Sequence, residues 1–290
     1  LGLDLVPYPQ IFNDVNNQKA EVILYRPTGE SGDFEKANFP IGVEGGKTST
    51  CPTQNLMEAY DMKDGTPFVW NNQSNPYDNR DPRMKYTIVC NEMKWPVDPV
   101  EIWEGGTNGL PLQNATTTGY YLKKYVNNTI SFEAGSTVTK KQHNWVLFRY
   151  GEILLNYAEA MINAFHDPNY KDAVYNMSAR EAVNQIRGRT NISLPGFPSD
   201  ITEKDFVKRL KNERRVELAF EGHRFWDVRR WKELGQTANI YGVKITKNNE
   251  VISYEKFLLE TRAVTDNMYF YPIPNTERFK NPNLGQNPGW

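Results

Sequence analysis

The sequence predicts a mainly α-helical protein of packed helix pairs, joined to a loop-rich portion with a few short strands. Three observations carry this. Tyr150, Ile153, Leu154, Tyr157, Ala158, Met161 and Ile162 recur at spacings of three and four, the period of one apolar helix face. Ser178-x-x-Glu181 and Thr202-x-x-Asp205 have the form of boxes that open helices. Residues 206–231, read as helix, stack Phe206, Leu210, Glu213, Glu217 and Glu221 in one column.

Taken in order, residues 1–18 read as the end of a helix, residues 19–26 as a short strand, and residues 27–51 as a long loop. Thr53 is placed to cap a helix that turns Leu56, Met57 and Tyr60 inward and stops near Asp64-Gly65. Pro67, Pro76 and Pro82 among Asn and Asp make residues 66–82 turns. By β-branched content residues 83–93 are the clearest strand, and residues 120–126 form another extended piece. The helical half begins near Trp145, which sets two portions, residues 1–144 and 145–290. Asp167-Pro168 breaks its first helix, and the next, opened by Ser178, turns Ala182, Val183 and Ile186 inward. With small Ala158 and Ala160 where a neighbour can approach, the two resemble a tetratricopeptide-type pair. Gly222 interrupts the third helix, two weak strand-like pieces follow Gly235, and Tyr269, Phe270, Tyr271 and Trp290 must pin an irregular tail.

Two readings compete for the carboxylate column. A glycosidase-like acid/base pair drawn from Glu213, Glu217 and Asp227 needs two carboxylates roughly 5–9 Å apart across an open cleft. An interior ion-pair lattice needs cations interleaved with the acids. Arg214, Arg215, Arg224, Arg229 and Arg230 stand ready in sequence, and so many guanidinium groups would depress a catalytic acid. The lattice is the expectation.

The chain has 290 residues, a net charge of −1 and no Lys/Arg run, which argues against a nucleic-acid or anionic-membrane partner. No stretch approaches the ~20 apolar residues of a membrane helix. Cys51 and Cys90 allow one bridge at most. No P-loop, GxGxxG, HExxH, CxxC or GxSxG is present, and His143, His166 and His223 are scattered. No catalytic residue, metal or cofactor is expected; everything points toward binding. Aromatics reach 13%, with 7 Trp and 16 Tyr, and rings that pair apolar area with a polar handle suit sugar faces and protein interfaces alike. Trp70, followed by Asn72, and Trp95 and Trp103, which flank a Pro-rich loop leading to Asn108, form the candidate binding set. The competing reading is that each indole lids the core beneath its loop.

The run NERRVELAFEGHRFWDVRRW at residues 212–231 strongly resembles the signature of the SusD/RagB family of outer-membrane nutrient-binding lipoproteins. YFYPIPNTERFKNPNLGQNPGW at the chain end, NRDPRMKYTIV at residues 79–89 and RYGEILLNYAEAMI at residues 149–162 resemble further family segments in the same order. The resemblance implies a SusD-like fold and a non-enzymatic surface receptor. Such a receptor captures a polysaccharide or oligosaccharide on an arc of exposed aromatics and passes it to a TonB-dependent, SusC-like transporter. Localisation at the cell outer membrane is implied with it. Family members are usually longer, so this chain looks like a C-terminal part, and membrane attachment would run through a lipidated N-terminus outside it. Trp145, Trp226, Trp231 and Trp290 lie in the family-like segments and read as core, and Tyr77 as structural. Two alternatives stand beside this: a peptide- or protein-binding helical-repeat module, which burial of all three loop tryptophans would favour, and a glycoside hydrolase.

Overall fold

The computed structural model describes residues 2–12, 20–71, 75–133 and 139–290. A 3-10 turn at Tyr8–Ile11 stands where a helix end is expected. Strand β1 (Val22–Ser31) runs on into the expected loop, and α1 (Asp33–Asn38) follows at once. Thr53 caps as expected, its Oγ1 accepting from the Leu56 amide at 3.3 Å, but α2 (Gln54–Met57) is a single turn and ends well before Asp64-Gly65.

The clearest expected strand is instead mostly helix, α3 (Pro82–Thr87). Asp81 Oδ1 accepts from the Arg83 amide at 2.9 Å and Pro82 pre-sets the first-turn φ, so a helix-start signal prevails over β-branched content. Only β2 (Ile88–Val89) stays extended, and it pairs antiparallel with β3 (Tyr121–Leu122). Helix is also absent near Trp145. There, β4 (Lys141–Arg149) crosses the expected 144/145 boundary and pairs antiparallel with β1. Its Trp145, Val146 and Phe148 suit a pleated strand better than a helix.

The helical layer then forms much as its periodicity demands. α4 (Tyr150–Phe165) ends with His166 in the left-handed region, and α5 (Ala179–Arg187) opens with the complete Ser178/Glu181 capping box. α6 (Glu203–Glu217) is capped by Thr202, whose Oγ1 accepts from the Asp205 amide at 3.2 Å. Leu154, Leu155, Ala158 and Ile162 of α4 bury against Ala182, Val183 and Ile186 of α5 and against Phe206 and Leu210 of α6. Ala158 and Ala182, both fully buried, let the backbones come close. Gly222, at φ +84°, breaks the chain between α6 and α7 (His223–Arg230).

The two weak pieces after Gly235 are a long hairpin, β5 (Asn239–Asn248) and β6 (Val251–Thr261). Asn249, at φ +53°, makes its two-residue turn. Val243, Ile245 and Tyr254 from this hairpin join Met57, Tyr60, Met84, Ile88, Tyr120 and Tyr121 in a second core. A third gathers Tyr8, Ile11 and Phe12 with Tyr125, Val146, Ile192 and Leu194. After α8 (Asn275–Lys280), Trp290 fastens the tail, its indole N–H reaching the Asn267 and Phe270 carbonyls at 2.9 and 3.1 Å. Helix and strand therefore share the described residues, with three two-stranded antiparallel sheets, and the mainly α expectation gives way to a mixed architecture. Trp226 and Trp290, expected in the core, are 59% and 47% exposed. Cys51 and Cys90 are free thiols.

What binds these layers together is charge. Five buried cations, Arg83, Lys124, Arg149, Arg187 and Arg189, face five buried carboxylates, Glu21, Asp81, Glu213, Glu217 and Glu221. Glu217, fully buried, is met by Arg83 at 2.9 Å and by Arg149 and Arg189 at 2.8 Å each. Arg187 holds Glu213 at 2.7 Å, and Lys124 and Arg149 each hold Glu221 at 2.7 Å. The lattice reading stands, but its partners are not the expected ones. Neighbouring helix positions point about 100° apart, so Arg214 and Arg215 cannot share the face of Glu213 and Glu217. Arg214 turns to Asp227 at 2.8 Å, Arg230 to Asp227 at 2.9 Å, and Arg215, Arg224 and Arg229 bind neutral oxygens of Asn55, Gln236 and Phe225.

Burial alone would raise the Glu217 carboxyl, but Arg189, Arg149 and Arg83 outweigh it and hold it well below the usual carboxylate range. Burial is likewise overcome at Glu213 by Arg83 and Arg187, and at Glu221 by Arg149 and Lys124.

Removing one partner from such a network strands the other charges. Glu217→Gln should therefore cost about 3–5 kcal/mol, read as a lowered urea midpoint. Breaking the exposed Lys171–Glu181 pair with Lys171→Ala should cost under about 1 kcal/mol. Equal losses in the two variants would remove the lattice from its central place.

The pH dependence has a definite sign. Glu213, Glu217 and Glu221 have folded pKa values below their unfolded ones, so their stabilisation is complete at neutral pH. It drains away as pH falls below the unfolded value of 4.5 toward the depressed folded values. Asp61 works the other way: burial, then Glu213, push it up to about 6, so its proton uptake adds stability as pH drops through that value. Urea midpoints should rise modestly from pH 7 to 5, as Asp61 takes up its proton, and fall steeply below 4.5. A midpoint that rises on acidification past that point would contradict the assignment.

Candidate functional site

Loops around the second core build the candidate site. Residues 94–99 double back through a Lys94–Pro99 bridge, with the Trp95 amide donating to the Asp98 carbonyl at 2.8 Å. Trp95 is thereby pressed inward and is only 7% exposed, with Lys123 Nζ 4.9 Å from its ring centre. The next loop is fastened by Asn108, whose Oδ1 accepts from the Glu101 amide at 2.8 Å and whose Nδ2 donates to the Ile41 carbonyl. Gly42, at φ +90°, allows that approach, because a Cβ there would collide with the Thr107 carbonyl. Asn108 is buried and works as a staple between loops.

Between these loops and residues 128–133 lies a groove of about 680 Å³, within the roughly 300–1,000 Å³ of small-ligand sites. Trp95 and Asn108 both line it, with Val97, Asp98, Asn128 and Phe132. Asn128 and Thr129 are exposed at its rim, and Val97 is 62% exposed. The other expected residues go elsewhere. Trp103 is half-buried under Lys247 Nζ, 4.4 Å from the ring centre, on a loop docked to β5 by the Glu104 amide and Ile245 carbonyl. Trp70 is half-buried and packs edge-on to Phe68 at 6.4 Å, and Phe68 lines a second cavity of about 460 Å³ beside α6. Asn72 lies outside the described residues. The structure thus brings together Trp95 and Asn108, and separates them from Trp70 and Trp103.

Sequence reading missed Val97, Asn128, Thr129 and Phe132; no motif marks them, and only the turn-forming Asn127-Asn128 pair hinted at a loop tip. It also missed an exposed aromatic surface outside the groove. There Phe225 stacks on Tyr271 at 6.1 Å, beside Trp226, with the Arg229 guanidinium 3.5 Å over Phe225. The carboxylates of the hydrolase alternative are closed in. Glu213, Glu217 and Asp227 are 3%, 0% and 3% exposed, and each is ion-paired. No helix among the described residues is long and apolar enough to cross a membrane, and no group of three or more His, Cys, Asp or Glu there could hold a metal ion.

Comparison with known proteins places this architecture. SusD-like protein P2 of Formosa agariphila is 29% identical over 163 residues, covering 54% of this chain and 28% of that protein. SusD-like protein P38 of the same organism is 30% identical over 150 residues, covering 50% of this chain and 24% of that protein. A SusD-like protein from Bacteroides fragilis matches at a TM-score of 0.81 and 26% identity, over 100% of this chain and 59% of that one. A SusD-like carbohydrate binding protein from the same species matches at 0.78 and 24% identity, over 98% of this chain and 58% of that one. The chain spans less than two thirds of each of these relatives. The family model described as the SusD family matches residues 11–290, and with that span and the shared fold the chain belongs to the SusD family.

Proposed function

We propose that this chain supplies the glycan-holding part of a non-catalytic receptor at the outer-membrane surface, which hands a polysaccharide or oligosaccharide to a TonB-dependent, SusC-like transporter. Family membership supports the class, and one solved relative is named as carbohydrate binding. The observation that carries the reading is the groove beside Trp95. Its apolar wall of Val97, Phe132 and the Trp95 edge suits a sugar face, while Asn128, Thr129 and Ser131 offer amide and hydroxyl groups to ring hydroxyls. No bond is made or broken there. A shallow groove desolvates little, so affinity per site is modest and repeated contacts along a polymer raise it.

Burial of all three loop tryptophans would favour the peptide-binding alternative. Trp95 alone is buried, with Trp70 and Trp103 half-buried, so the glycan reading is preferred. Catalysis by the Glu213–Asp227 cluster is disfavoured by its closure and by the guanidinium groups that fill it.

Affinity electrophoresis across a polysaccharide panel tests the reading. A Val97→Ala/Asn128→Ala double variant should lose about fivefold or more in retention, roughly one hydrogen bond plus some apolar contact, with its thermal melt unchanged. Undiminished retention would remove the groove from the site. Incubated with the bound polysaccharide, the wild type should release no reducing ends above a buffer blank, and release would overturn the non-catalytic assignment.

A further inference from the structure

A group of the basic residues that the lattice does not use lies on the opposite face of α6. Lys204, Lys208, Lys211 and Arg215 recur at helix spacing and line the 460 Å³ cavity with Arg209 and Arg224. Three carboxylates share that lining, and each is engaged: Glu58 with Lys256 at 2.8 Å, Asp61 with Arg187 at 3.5 Å, and Glu233 with Lys211 at 2.5 Å. Lys204, Lys208, Arg215 and Arg224 form no ion pair among the described residues. Arg215 donates only to the Asn55 carbonyl, at 2.8 Å, and Arg224 only to the Gln236 amide oxygen, at 2.8 Å.

Six cations thus line the cavity with three carboxylates, and among the described residues four of the six stand in no ion pair, although Glu58 acts on Arg215, and Asp227 and Glu233 on Arg224, from farther off. Burial, and then the neighbouring Arg224, push the Arg215 guanidinium down to about 10. Two guanidinium forks close together, with ammonium groups at the rim, match the oxygens of a carboxylate or sulfate ester. Phe68 adds a flat apolar wall, braced by the Arg80 guanidinium 3.6 Å over its ring and by Trp70 at its edge. An acidic sugar has both kinds of surface.

We propose that this cavity is an anionic-sugar subsite, which makes the preferred ligand an acidic glycan carrying uronate or sulfate-ester groups. The proposal rests on the glycan reading above. Lys204 and Lys208 are exposed and unpaired, so Lys204→Glu/Lys208→Glu reverses charge at the rim without opening the core. Arg224→Gln removes one fork.

Retention is measured on polygalacturonate, a sulfated galactan and a neutral galactan. Both acidic polymers should be held about tenfold or more tightly than the neutral one, with the preference abolished by the double variant, weakened by Arg224→Gln and weakened by 0.5 M NaCl as charges are screened. Galacturonate, with galactose as control, should raise the wild-type melting temperature and leave that of the double variant unmoved. If the neutral polymer is held as well as the acidic ones, or the variants keep the preference, the anionic subsite is overturned while glycan binding stands. If no polymer is retained but galacturonate still stabilises the wild type alone, the subsite stands and the glycan-receptor reading falls. If neither occurs, both fall.

Discussion

The Glu217 carboxylate, fully buried and gripped by three arginines, is the contact on which the remaining structure depends. Taking so many charges out of water is expensive, and their mutual attraction offsets the penalty only where geometry is good and few hydrogen bonds are missing. That condition is met by drawing the five cations from four places in the chain. Arg83 comes from α3, Lys124 from beyond β3, Arg149 from the end of β4, and Arg187 and Arg189 from the end of α5. α6 can adopt its position only when all of these have arrived. Apolar packing would tolerate small slips among the same elements, whereas a displaced guanidinium leaves a bare buried charge. We read the lattice as a device for uniqueness more than for raw stability.

The two faces of α6 follow from one geometric fact. Carboxylates at 213 and 217 share a face, while basic residues at 204, 208, 211 and 215 share another. Because the inner acids are neutralised from distant elements, the outer bases of the same helix keep an excess of positive charge. Had Arg215 and Arg224 paired with Glu213 and Glu217, as their closeness in sequence suggests, the cavity would have lost both of its guanidinium groups that stand in no ion pair. The chain is nearly neutral as a whole, yet it separates its charge locally.

Legibility in the sequence followed the range of the interactions. Elements set by local chemistry were readable: the α4 stripe, the Ser178/Glu181 box, the Thr53 and Thr202 caps and the Gly222 break depend on residues a few positions apart. Where two local signals conflicted, the wrong one was preferred. At residues 81–89 the Asp-Pro helix start overrode the β-branched run, and at β4 the aromatic run overrode the approach of a helix. Lattice partners were not readable, since Arg83 and Glu217 are 134 positions apart and no pattern in one sequence links them. Of the residues proposed for the site, the sequence led to Trp95 and Asn108, which line one groove as wall and staple, because a loop indole beside a large core is drawn into it.

The same contrast explains why we propose recognition on loops and on the basic face of α6, and not on the motif-rich carboxylates. A fully buried carboxylate held by three guanidinium groups has neither access for a ligand nor a pKa suited to moving protons. The groove walls are under no such constraint. Val97 stands on the loop fastened by the Trp95 turn, and Asn128 and Thr129 on one held by the Asn127 amide donating to Glu35 at 3.0 Å, so their exposed side chains can change without disturbing the core. Likewise Lys204 and Lys208 project from a helix that the lattice anchors on its far side. A rigid charged interior therefore leaves these exterior positions free to vary, which is why the proposed ligand contacts fall where the fold has least at stake.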